Sequence, residues 1–197
     1  MPQERDEVQF REPIMAQKDV KARISFAEPT EWHPKDAVKA IGDVADSYKV
    51  VKLTVVITDE SVRTEHADAL PKMVIDDQFN VQRYPYVDSK KGTLAWLNRG
   101  KLFDIERALG FDPVFVDKAG NEVAAFVTRT GNKVAPKVEG VAQVLNPSFL
   151  SAYFHEDMTV NPTNWVDKEI LVDVAIETSE QFGDKNVIKR YKKVASL

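Results

Sequence analysis

Residues Tyr48 to Glu60 read YKVVKLTVVITDE, and this stretch decides the fold. It is dense in valine, isoleucine and threonine, the side chains that pack best on a pleated surface. Val51, Leu53, Val55 and Ile57 fall on one face, with Lys52, Thr54 and Thr58 on the other, which is the two-residue period of a half-buried strand. Upstream, Lys18 to Ala27 (KDVKARISFA) alternates in the same way, with Val20, Ala22, Ile24 and Phe26 facing in and Lys21, Arg23 and Ser25 facing out. Downstream, Met73 to Tyr84 is the expected antiparallel partner, reached through the polar excursion Ser61 to Leu70. Further on, Lys168 to Glu177 (KEILVDVAIE) sets Ile170, Val172, Val174 and Ile176 against Leu171, Asp173 and Ala175. Asn186 to Val194 returns as a last strand across a Gly183-Asp184 turn.

The intervening segments read differently. Glu28 to Ser47 carries Pro29, Pro34 and Gly42, the marks of a long connection, with a helical turn around Lys35 to Ile41. Thr93 to Leu109 shifts to helical spacing through Leu94, Leu97, Leu102, Ile105 and Leu109, with Thr93 as the expected cap. Gly100 interrupts this stripe, and Gly110 followed by Asp112-Pro113 ends it. A hairpin is expected about Asp117 to Asn121, another turn at Thr130-Gly131-Asn132, and a short helix opened by Asn146-Pro147 with Phe149, Leu150 and Tyr153 as its apolar members.

Five to seven strands with one clear helix, and no β-α-β alternation, make the chain mainly β. A five-stranded barrel of the OB type with an inserted helix and extra hairpins fits this order, and another small barrel or sandwich is the alternative. Met1 to Gln17 is charged without apolar periodicity and reads as a mobile arm; residues 18–197 read as a single OB-like domain.

Composition narrows the function classes. The chain has 197 residues, 43% hydrophobic and 29% charged, a globular mixture that supports one main core. It has no cysteine, which excludes disulfides, thiolate metal sites and cysteine nucleophiles and suits a reducing cytoplasm. No apolar run approaches membrane-spanning length, and the acidic, polar start does not read as an export signal. The net charge of −4 argues against a globally basic nucleic-acid binder but says little about a local patch.

The familiar chemical signatures are missing: neither G-x-G-x-x-G nor a phosphate-cradling loop occurs, His155-Glu156 lacks a second histidine one turn on, and G-x-S-x-G is absent. The three histidines, His33, His66 and His155, lie in separate expected loops and read as surface or capping residues. Asp76-Asp77 and Glu156-Asp157 offer hard-metal ligands, but neighbouring strand residues point to opposite faces. No catalytic residue, metal or cofactor is assigned.

The outward strand positions carry the positive reading. Lys21 and Arg23, then Lys52, then Arg83 with Tyr84 and Tyr86, and finally Lys189, Arg190, Tyr191 and Lys192 interleave cationic and aromatic side chains. That mixture suits single-stranded nucleic acid, whose phosphates attract lysine and arginine and whose unstacked bases lie on aromatic rings. The competing readings are lysines that protect sheet edges and a packed Tyr84-Pro85-Tyr86 corner. Trp32, Trp96 and Trp165 read as core or rim.

Taken in order, Gln78-Phe79-Asn80-Val81, Trp96-Leu97 through Leu109-Gly110-Phe111, Trp165 to Val174 (WVDKEILVDV) and Asn186-Val187-Ile188-Lys189-Arg190-Tyr191 carry a family resemblance. Over about Tyr48 to Val194 the chain resembles phage-encoded OB-fold single-stranded-DNA-binding proteins, a domain of unknown function found beside recombination and replication genes. The resemblance implies a DNA-protecting accessory role in the host cytoplasm, no enzymatic activity, and single-stranded DNA, or RNA, together with replication or recombination proteins as partners. It leaves the oligomeric state open. Two other classes stand beside it: a virion-type assembly protein without a nucleic-acid groove, and an enzyme built on dispersed carboxylates, such as a glycosidase.

Overall fold

A computed structural model describes residues 11–181 and 183–194. Its centre is a five-stranded antiparallel sheet built from β1 (Gln17–Trp32), β2 (Tyr48–Ile57), β3 (Val74–Asn80), β4 (Glu169–Ser179) and β5 (Gly183–Lys192). The spatial order is β5-β4-β1-β2-β3. Its first-to-fourth-strand part, 4-1-2-3, is a Greek key: three consecutive strands and a fourth that returns by a long connection to lie beside the first. Helix α1 (Gly100–Ala108) and helix α2 (Pro147–Tyr153) both lie in that connection.

The alternation read in β2 places Val51, Leu53, Val55 and Ile57 in the core, where Ile24 and Ala22 of β1, Ile75 and Phe79 of β3, Ile170 and Val172 of β4 and Ile188 of β5 join them. Trp165 anchors the core's aromatic end. It is wholly buried against Phe79, Phe149, Tyr153 and Phe154, and its indole N–H donates to the Tyr153 carbonyl at 2.8 Å. The Asn146 cap is as expected, its side-chain oxygen accepting the Ser148 N–H at 2.9 Å. Glycine is required at Gly110 (φ 96°), which ends α1, and at Gly183 (φ 67°), which begins β5.

Several sequence expectations are corrected. β1 runs on to Trp32 instead of stopping at Ala27. Beyond Ile24 it is laddered on one side only, by β2, an edge position that tolerates Pro29. A register shift between Ile24 and Phe26 turns Phe26 outward, so it is half-exposed and Ala27 takes the inward place. Ile176, also expected inside, is exposed near the β4–β5 turn. Leu94–Leu97 is not helix but a strand paired with Tyr84–Val87, and α1 begins only at Gly100. Pairing with the Tyr84 strand overrides a leucine spacing that fits either structure over so short a run. Phe115 and Val116 do pair with Val123 and Glu122, and Phe126–Val127 with Lys133–Val134, around the expected turns.

The arm is corrected in its described part. Residues 1–10 lie outside the described residues, but Arg11–Glu12 pairs in parallel with Leu70–Pro71, and Ile14 is wholly buried. The Asn186 side chain grips Ile14 twice, accepting its N–H and donating to its carbonyl, each at 2.8 Å.

The two edges of the sheet, β3 and β5, are not joined by a backbone ladder among the described residues, so no closed barrel forms. They approach nonetheless. Tyr191 of β5 donates its hydroxyl to Asp77 of β3 at 2.7 Å, and the Phe79 and Tyr191 rings meet edge-on at 6.1 Å. Among the described residues, no helix is long and apolar enough to cross a membrane.

Candidate nucleic-acid interface

The seam between β3 and β5 organises the charged surface. Asp77 sits at its centre, paired with Lys101 of α1 at 2.6 Å on one oxygen and with the Tyr191 hydroxyl on the other. Burial, with the neighbouring negative charge of Asp77, pushes the Tyr191 phenol well above its ordinary pKa, so it stays a neutral donor. α1 lies along this seam, its start near the end of β3 and its far end near Arg190 to Lys193.

Three adjoining clefts follow the seam, sharing walls through Lys189, Lys101 and Asp104. The first lies between Lys52, Asp76 and Gln78 on one side and Glu177, Lys185 and Lys189 on the other. The second is bounded by Gln78 to Asn80 and by Asn98 to Lys101 at the start of α1. The third is walled by Arg107 and the helix end, by Arg190 and Lys192 of β5 with Lys193 just after it, and by Gly131 to Val134 of a hairpin. Burial and the like charge of Arg83 both lower the Arg99 guanidinium pKa, so Arg83 is within electrostatic reach of Arg99.

Cationic side chains thus recur along the whole path, but they are not equally available. Lys52 pairs with Glu28 at 3.1 Å, and Lys189 with Glu177 at 2.5 Å. Lys192 bridges Asp173 at 2.6 Å and Asp19 at 2.9 Å. Those two hydrogen bonds, Asp173 first, raise the Lys192 ammonium pKa. Asp173 itself is pushed up by burial, but Lys192 and the Asp19 N–H outweigh that and hold it below its ordinary value. Among the described residues, Arg99, Lys185, Arg190 and Lys193 form no ion pair.

Of the residues expected from sequence, Lys52, Lys189, Arg190 and Lys192 line the path, and Arg83 is within electrostatic reach of Arg99. Lys21 and Arg23 stand elsewhere on the outer sheet face: Lys21 is separated from Lys192 by Leu171 in one cross-strand row, and Arg23 pairs with Asp167 at 3.3 Å. Tyr84 and Tyr86 belong to a separate corner, where Tyr84 packs on Trp32 at 4.5 Å. Tyr191 is corrected outright: at 3% exposure it is a core residue and has no face to offer a base. The cause is a second bulge. Asp173 pairs with Arg190 while Val174 pairs with Ile188, so Lys189 and Arg190 both face out and Tyr191 turns in.

Sequence reading missed Arg99, Arg107 and Lys185, which gain their places only from the packing of α1 and the β4–β5 turn. It also placed Phe26 inside. Phe26 instead lies on the outer face opposite Thr54, one cross-strand row from the Glu28–Lys52–Gln78 row that reaches the first cleft. The three histidines stay apart and exposed, His33 against the Asp46 carbonyl and His66 against Glu12 at 2.8 Å. Among the described residues, no group of three or more histidine or carboxylate side chains is placed to hold a metal ion.

One titratable group stands apart from the path. Glu106 on α1 is 0% exposed, accepts the Asn146 N–H at 2.5 Å, and leaves its second oxygen without a partner. Burial raises its pKa to about 7, against the Asn146 bond and the charges of Arg107 and Arg99.

No family model, curated protein or solved structure matches the chain.

Proposed function

We propose that the chain binds single-stranded DNA with little sequence preference, on a partly open barrel of the OB type, in phage-type replication or recombination. The observation that carries the reading is the continuous cationic path along β3, α1 and β5, with the half-exposed Phe26 near one of its walls. Phosphates fit the arginines and lysines of that path, and an unstacked base fits the Phe26 ring. The OB assignment draws support from the Greek-key order and from the side-chain bridge between β3 and β5. OB folds are partly open Greek-key barrels whose second and third strands face the oligonucleotide, and Lys52 and Gln78, paired across β2 and β3, hold that position here. Replication or recombination proteins are the partners that this role implies.

The test is a fluorescence titration of the full chain with unstructured oligodeoxynucleotides, matched duplex and matched RNA. Single-stranded DNA is expected to bind most tightly, and equal affinity for duplex would reject the reading. Within the path, Arg190→Ala is expected to weaken binding by about tenfold, as for a charge-assisted hydrogen bond of roughly 1.5 kcal/mol. Lys192→Ala is expected to cost less, because Asp173 and Asp19 already neutralise that ammonium.

A further inference from the structure

The hairpin formed by Phe126–Val127 and Lys133–Val134 carries the most exposed large hydrophobic side chain among the described residues, Phe126 at 67%. No contact in the fold accounts for it. The hairpin is nevertheless firmly built. Its turn closes through Thr128 N–H to the Asn132 carbonyl at 2.8 Å and Asn132 N–H to the Thr128 hydroxyl at 3.0 Å. Lys133 ties it to Asp112, just beyond α1, at 2.6 Å.

Its position gives the exposed ring a use. Gly131 to Val134 form one wall of the third cleft, facing Arg107, Arg190 and Lys193. Phe126 pairs directly with Val134 across the hairpin, and directly opposed residues of an antiparallel pair project to the same face. A bare aromatic ring therefore stands on the strand next to the one that walls the cationic cleft. Phosphate attraction beside a free ring is the pairing of features by which single strands are gripped without sequence readout.

We propose that this hairpin is a stacking finger, with Phe126 taking one base of the strand where it leaves the cleft past Arg190. The inference rests on the single-strand-binding reading and adds to it a specific contact on an element outside the five-stranded sheet. The residues of the finger were legible in the sequence only as a turn.

The experiment compares wild-type protein, Phe126→Ala and Phe126→Trp against an oligothymidylate and against an oligomer of the same length made of abasic sites, which keeps the phosphates and removes the bases. Phe126→Ala is expected to lose about tenfold affinity for oligothymidylate, in keeping with the loss of one stacked base, and to bind the abasic oligomer like wild type. Phe126→Trp is expected to restore the affinity. If wild type binds oligothymidylate and Phe126→Ala binds it equally well, the finger is overturned while the binding reading stands. If wild type binds neither oligomer, the reading itself fails and the finger with it. Sedimentation of the same proteins decides the rival occupant: a variant that loses self-association and keeps its DNA affinity assigns the ring to a second copy of the chain, which overturns the proposal. Because Phe126 touches the core nowhere, its variants are expected to melt with wild type.

Discussion

Glu106 places an ionisable carboxyl where water does not reach, and the consequence is a pH-dependent stability. Its folded pKa of about 7 lies above its ordinary 4.5. Between those values the folded chain keeps a proton that the unfolded chain has released, so stability falls as pH rises through that window and levels off above it. The shift corresponds to about 3 kcal/mol at most. His66 contributes a slope of the same sign, since its pKa is raised by the Glu12 hydrogen bond and its stabilisation is lost as pH rises through that value. Glu106→Gln keeps an acceptor for the Asn146 N–H and removes the charge. In urea melts it is expected to match wild type near pH 5 and to exceed it by about 2–3 kcal/mol at pH 8. A variant that tracks wild type across the whole range would show that the carboxyl ionises without cost.

At the level of elements, the docked segment before β1 joins backbone bridges to Thr64 and Leu70–Pro71 with the grip of one distant side chain. Asn186 sits near the start of β5, yet it satisfies both backbone groups of Ile14, which is buried and whose bridge to Thr64 runs through the Met15 N–H and not through its own N–H or carbonyl. Asn186→Ala strands a buried N–H and a buried carbonyl and is expected to cost about 3 kcal/mol. Limited trypsin digestion is expected to cut first at Arg11 or Lys18 in the variant, while wild type resists there; equal protection would mean that the backbone pairings with Leu70–Pro71 and Thr64 hold the segment without Asn186. Nothing in the sequence marks Asn186 for this, because its partner lies 172 residues away. The regular strands were legible for the opposite reason: in β2 and in the first half of β4, burial of one face writes itself into local alternation. Legibility failed at each bulge. At Phe26 one extra residue inverts the faces that follow, and strict alternation carried past it put Phe26 inside; the run Lys189 to Lys192 was read as outward throughout, and the bulge at Lys189–Arg190 is what turns Tyr191 in. The K-R-Y-K-K segment was thus found as a basic strand, but its ring was assigned to the wrong side. Leu94 to Leu97 failed differently, because four residues are too few to tell a period of two from one of 3.6.

For the molecule as a whole, a net charge of −4 and a cationic path are compatible because they act over different distances. At physiological salt the field of scattered surface carboxylates is screened within about 8 Å, whereas in the proposed role a phosphate in the path would meet its arginine or lysine at contact. The affinity should therefore depend on salt through the cations that carry no ion pair among the described residues, Arg99, Lys185, Arg190 and Lys193, more than through those already bridged to carboxylates. If about four phosphates are neutralised, the logarithm of affinity for single-stranded DNA falls against the logarithm of salt with a slope of about −3. From 50 to 200 mM salt that is a loss of roughly 60-fold. Removing one such contact by Arg190→Ala should flatten the slope by about 0.7, whereas Lys192→Ala, whose charge is already met by Asp173 and Asp19, should leave it nearly unchanged. Titrations of the three proteins at four salt concentrations measure all three slopes. A wild-type slope near zero would mean that phosphates do not reach the path, and equal flattening in the two variants would mean that its ion pairs open as readily as its unpaired cations bind.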